Sequence, residues 1–200
     1  MKNANYLFVD GRYTLQAKMQ SGKYFQIVTI PQKLPSNVIK KRRLKIGYDP
    51  KLHTHKTLKS LFNNTKCKMV PINKNLIDQL WKKGGDKNSK KFYLLPKEAT
   101  DQNYKFKIKK LVKILSKKKI DYQFITASEN IAWLLNIRGQ DSEYTPIPNS
   151  YLALSSSKKI NLFCNLNKID NNFKKEFKDI KFIDIKYTDL FLSKIRNKRV

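Results

Sequence analysis

Lys82 to Lys91, KKGGDKNSKK, is the stretch that most constrains the fold: it carries no apolar side chain and has two adjacent glycines. Such a run adds nothing to a core and is costly to order, so it reads as a linker or a long exposed loop. Whatever packs on one side of it must find its apolar partners without crossing it. The chain has 200 residues, 40% of them hydrophobic, which supplies core enough for one large domain or two small ones. The break selects two, with expected bounds 1–86 and 87–200.

On both sides, short apolar runs alternate with helical patterns, the rhythm of a sheet covered by helices. Tyr6-Leu7-Phe8-Val9 predicts a buried strand with Asp10-Gly11 as its turn, and Thr14 to Gln20 a helix stopped near Gly22. A strand over Tyr24 to Ile30 ends at Pro31, a short helix spans Pro35 to Lys41, and Leu44 to Tyr48 is a strand. Thr54 caps a helix carrying Leu58, Leu61 and Phe62; Cys67 to Ile72 is a strand; Leu76, Ile77, Leu80 and Trp81 are helically spaced. Beyond the break, Ile108, Leu111, Val112 and Leu115 recur at i, i+3, i+4 and i+7, an amphipathic helix. Tyr122 to Thr126 is a strand, and Ser128 the expected N-cap of the helix NIAWLL. Paired strands at Tyr151 to Leu154 and Ile160 to Asn165, a helix around Phe173 to Phe177, a strand at Phe182 to Ile185 and a helix from Thr188 to Ile195 follow. The fold class is α/β.

Lys+Arg 43 against Asp+Glu 15 gives a net charge of +28, a field that would attract phosphate backbones or anionic lipid. Six of the basic residues are arginine, whereas bidentate recognition of bases and phosphates favours that side chain. Lysine, asparagine and isoleucine are in excess together along the whole chain, the mark of compositional drift, and the lysines read as solvated faces. The best basic clusters, Lys40 to Arg43 and Lys117 to Lys119, lack aromatic neighbours, so nucleic acid is disfavoured as a partner. No apolar run nears the roughly 18 residues of a membrane span, and MKNANYLFVDGRY lacks the pattern of a signal peptide. Cys67 and Cys164 are too few for a disulfide framework or a thiolate metal site, so a reduced cytoplasmic chain is expected.

Catalytic patterns are sparse. There is no Gly-rich phosphate loop, no His-Glu-x-x-His and no Gly-x-Ser-x-Gly. His53 and His55 form His-x-His, but two ligands make a poor metal site and the segment reads as helix-entry polar residues. One stretch differs from its lysine-rich background: NIAWLLNIRGQDSEYTPIPNS, Asn130 to Ser150. By local chemistry Arg138 complements the end of a helix, Gly139 supplies a left-handed cap, and Thr-Pro-Ile-Pro forces an extended entry to the next strand. Asp141 and Glu143 are the nearest pair of carboxylates.

That stretch, continued through Tyr151-Leu152-Ala153-Leu154, resembles the second N-terminal domain of three-domain Xaa-Pro aminopeptidases, with Glu129-Asn130 in place of the usual Asp-Ser lead-in. YLFVDGRYTLQAKMQ (Tyr6 to Gln20), IGYDPKLHT (Ile46 to Thr54) and MVPINKNLIDQLW (Met69 to Trp81) resemble the same family in the same order. The resemblance implies two creatinase N-terminal-like domains, each a mixed sheet flanked by helices, the first lacking its opening strands. It also implies hydrolysis of the residue preceding proline by a metallopeptidase with two divalent metals, usually manganese. The ligands of those metals belong to a C-terminal domain with no counterpart here, so no metal ligand, cofactor or catalytic residue is assigned to this chain.

What the resemblance implies for the chain itself is a fragment serving substrate access or assembly, inactive alone, with a separately encoded catalytic domain as a partner and room for a homo-oligomer. Arg138, Asp141 and Glu143 are then the candidates to line the substrate cleft or a domain interface. The competing readings are a basic nucleic-acid-binding protein and a non-functional remnant.

Overall fold

The computed structural model describes residues 5–39, 43–81 and 90–200. The expected boundary between residues 86 and 87 lies outside them, as do Lys40, Lys41 and Arg42 of the first basic cluster. The chain divides into two compact units, Met1–Lys83 and Gly84–Val200.

The first unit holds two strand–helix–strand segments. Strands β1 (Tyr6–Asp10) and β2 (Gln26–Ile30) pair in parallel and are joined through helix α1 (Thr14–Gln20). After α2 (Pro35–Ile39), strands β3 (Lys45–Tyr48) and β4 (Lys68–Pro71) repeat the arrangement around α3 (His55–Leu61), and α4 (Leu76–Leu80) follows. Parallel pairing demands such crossovers, because a tight hairpin cannot return the chain in the same direction. Thr54 caps α3 as its spacing predicts, accepting from the Thr57 amide at 3.1 Å. Few side chains are buried among the described residues of this unit: Ala17, Val28, Pro35 and Leu58. The helical spacing of Leu76, Ile77, Leu80 and Trp81 is real, yet all four are exposed.

The second unit carries the core. It opens with β5 (Tyr93–Leu94), α5 (Tyr104–Lys117), β6 (Tyr122–Ile125), α6 (Ser128–Leu135) and β7 (Ile137–Arg138). Then come β8 (Ser150–Ser155), β9 (Ile160–Cys164), α7 (Asn171–Glu176), β10 (Ile180–Asp184) and α8 (Thr188–Lys194). A four-stranded sheet runs β10-β9-β8-β6; β9 and β10 are parallel and the other neighbours antiparallel, so the sheet is mixed. The hairpin read from the two strands around SSSKK is β8–β9, with Leu152 opposite Leu162.

Burial along β8 and β9 is almost continuous because both faces are covered. Leu152, Leu154, Ile160, Leu162 and Cys164 meet Ile108 and Leu115 of α5, Ile131, Leu134 and Leu135 of α6, and Phe173 of α7. Phe163 points the other way, where the Phe191 ring of α8 lies 5.1 Å away and Phe124 6.4 Å. Each fully buried side chain of this size contributes about 1.5–3 kcal/mol. The strand β6 is also tied at its start: the Asp121 and Tyr122 amides donate to the Arg199 carbonyl, and the Asp121 carboxylate accepts from the Arg199 amide at 2.9 Å.

The reading of lysines as solvated faces fails at two positions. Lys107 and Lys168 are 6% and 4% exposed. Lys107 lies in phase with Leu111 and Leu115 on α5, at i, i+4 and i+8, a placement visible in the sequence.

A cationic cavity and a buried ion pair flank the segment after helix α6

Helix α6 ends one turn earlier than expected. Its C-cap is Asn136, left-handed at φ 57°, and its amide donates back to the Trp133 carbonyl. Asparagine tolerates this conformation better than other residues with a Cβ. Arg138 is therefore not in the last helical turn; it lies in β7, directly opposite Tyr93 of β5. Gly139 is not the cap either. Its glycine is required by packing, since a Cβ there would stand 2.8 Å from Pro148 Cα and 3.1 Å from Phe92 Cδ1. At the other end, Ala127 takes the N-cap position and Ser128 is the first helical residue, its hydroxyl donating to the Ser150 carbonyl at 3.3 Å.

The three candidate residues occupy three different environments. Arg138 is half-buried. Its Nη1 donates to the carbonyls of Ala132 at 3.2 Å and Ile137 at 2.9 Å. It lines a cavity of about 170 Å³ together with Leu95, Thr100, Asp101, Lys107 and Trp133. Lys107 reaches the same cavity, donating to the Trp133 carbonyl and to Asn136 Oδ1, with its ammonium 4.4 Å from the Trp133 ring centroid. Burial, and then the nearby Arg138 charge, hold the Lys107 ammonium below the usual lysine range. Asn136 completes the corner by donating to the Gln102 carbonyl at 2.8 Å.

Asp141 turns inward. Its side chain is 4% exposed and pairs with Lys168, itself 5% exposed, while Oδ2 accepts from the Asn149 amide at 2.6 Å. That carboxylate is engaged in joining the 139–149 segment to the turn at Leu166–Lys168, and Lys168 also receives the Phe92 amide on its carbonyl. Glu143 is exposed in a turn closed by the Ser142–Thr145 bridge. Beside it Tyr144 is 95% exposed at φ 60°. This turn lines a second, open cavity of about 430 Å³ with Lys90, Gln140 and Pro146.

Sequence reasoning missed Lys107, Trp133, Asn136 and Lys168. Lys107 carried a signal in its helical phase; Lys168 carried none, because its partner is distant in the chain. His55 opens α3 on the surface, and His53 Nδ1 is buried without a hydrogen-bond partner among the described residues. Among those residues no three His, Cys, Asp or Glu side chains gather in a set able to hold a metal ion. No helix among them is long and apolar enough to cross a membrane.

Residues 85–199 match the family model described as the creatinase/prolidase N-terminal domain. A probable Xaa-Pro aminopeptidase P of Coprinopsis cinerea is 31% identical over 180 residues, covering 83% of this chain and 28% of that protein. An Xaa-Pro aminopeptidase of Drosophila melanogaster is 29% identical, covering 84% of this chain and 29% of the relative. The fold is similar to the crystal structure of an X-prolyl aminopeptidase from Caenorhabditis elegans, described as a cytosolic enzyme with a di-nuclear active site. That match has a TM-score of 0.83 and 25% identity, and covers 98% of this chain and 34% of the other. The chain thus spans less than a third of the length of these curated relatives.

Proposed function

The chain belongs to the creatinase/prolidase N-terminal domain family, and from that premise we propose that it serves substrate access and assembly in Xaa-Pro aminopeptidase chemistry. Hydrolysis itself is carried by residues outside these 200. The observation that supports this is the extent of the similarity: 83% of this chain aligns with 28% of an Xaa-Pro aminopeptidase, and the matched family model is an N-terminal one. The partner is a catalytic domain of the same enzyme class, and the compartment is the cytoplasm, as for the Caenorhabditis elegans relative. In this reading Arg138 and Glu143 face the cleft or the domain interface, and Asp141 holds the segment that follows Arg138 and carries Glu143.

The test is hydrolysis of an Xaa-Pro-Xaa tripeptide with Mn²⁺, using the full chain alone and mixed with the polypeptide encoded immediately downstream of it. Activity that appears only in the mixture supports the assignment. Turnover by the chain alone places the catalytic residues within it and overturns the proposal. Absence of turnover in both samples overturns the access role.

A further inference from the structure

We infer that the cavity between Arg138, Lys107 and Trp133 is a binding site for the α-carboxylate of a single amino-acid residue, either a free amino acid or the last residue of a peptide. The inference does not rest on the aminopeptidase reading.

Its first support is the state of the two cations. Arg138 spends Nη1 on two backbone carbonyls, which fixes the plane of the guanidinium. Its Nε and Nη2 donate to no protein group among the described residues. They form the edge that holds a carboxylate through two parallel hydrogen bonds. Lys107 uses two of its three donors on the Trp133 carbonyl and Asn136 Oδ1, and neither cation is in an ion pair with a carboxylate among the described residues. Two unneutralised cations recessed in one cavity repel each other, and an entering carboxylate relieves both.

The second support is the rest of the lining. Trp133 is 62% exposed and, with Leu95 and Ala99, offers an apolar wall to a side chain. Asp101, in no ion pair among the described residues, supplies the opposite charge in the same cavity. Carboxylate on one side, apolar wall and a receptor for an ammonium group on the other is the chemistry of an α-amino acid. The volume, about 170 Å³, suits one residue and falls below the roughly 300–1,000 Å³ of sites for larger ligands.

The test follows Trp133 fluorescence in the full chain carrying Trp81→Phe, titrated with leucine, leucinamide, N-acetyl-leucine and Gly-Gly-Leu at constant ionic strength, with acetate as the control for diffuse anion attraction. Leucine or Gly-Gly-Leu saturates the signal, while leucinamide and acetate do not. Saturation by leucine identifies a free amino acid as ligand, and saturation by Gly-Gly-Leu alone identifies a peptide terminus. Arg138→Gln weakens binding by about tenfold or more, the loss expected for charge-assisted hydrogen bonds. Because Arg138 also anchors backbone, Asp101→Asn serves as the second variant. It weakens leucine and leaves N-acetyl-leucine unchanged, since only the former carries the ammonium group. Equal binding of leucine and leucinamide, or no fluorescence change with any probe up to tens of millimolar, overturns the inference.

Discussion

Breaking the Asp141–Lys168 pair should cost far more than breaking an ordinary ion pair of this lysine-rich chain. Both side chains are almost fully shielded, at 4% and 5% exposure, and the same carboxylate holds the Asn149 amide at 2.6 Å. Asp141→Ala removes the carboxylate that faces a buried ammonium and leaves the Asn149 amide without its acceptor. Removing one partner of a buried pair typically costs about 3–5 kcal/mol, against about 0–1 kcal/mol for an exposed pair. A domain's total stability is about 5–15 kcal/mol, so the change consumes a large part of the second unit's margin. At about 4 °C per kcal/mol, the melting transition of the full chain falls by roughly 12–20 °C. Urea denaturation followed by circular dichroism measures it, with the m-value as the check that the same surface unfolds. The double variant Asp141→Leu/Lys168→Met removes both charges and should be clearly more stable than Asp141→Ala. If Asp141→Ala costs less than about 1 kcal/mol, the pair behaves as a surface contact and the reasoning fails. The exposed pair Arg12–Asp10, at 81% and 36% exposure, is the internal comparison, and its loss should be within error.

Two further outcomes follow from the same unit. Gly139→Ala forces a Cβ to 2.8 Å from the Pro148 backbone, so thermal unfolding should show a loss of about 1–3 kcal/mol, and a wild-type melting curve would remove the packing argument. Burial, then the Asp184 and Asp141 charges, push the Cys164 thiol from its ordinary 9.0 up to about 12. The folded state therefore keeps a proton that the unfolded chain gives up. The stability this contributes is intact below pH 9 and is lost as pH rises toward 12, by at most about 1.4 kcal/mol per pH unit. Stability of wild type relative to Cys164→Ala, measured across that range, should be level below pH 9 and decline above it.

Most of the second unit was legible because its elements announce themselves locally. The i, i+3, i+4, i+7 spacing of Ile108 to Leu115 marked α5, and the two short apolar runs on either side of SSSKK marked the β8–β9 hairpin. Element ends were less legible. Asn136 caps α6 with the torsion that a glycine two residues after Ile137 was expected to take, because asparagine also adopts the left-handed region. Strands β5 and β7, two residues each, are too short to show a period, and they exist because Tyr93 and Arg138 meet across the unit. Of the candidate residues, Arg138 and Glu143 each border a cavity and Asp141 sits in an ion pair whose partner no local pattern indicates.

Family membership was determined by the sequence alone, since motif order and spacing survive in the linear chain. So was the α/β class, which follows from where apolar side chains recur. The fate of individual charges was decided only by tertiary structure. A lysine among 43 basic residues is indistinguishable from its neighbours until packing sets its dielectric surroundings and its partner. The fold places Lys168 against Asp141 and Lys107 beside Arg138, and thereby turns two of those lysines from solvated surface into interior chemistry.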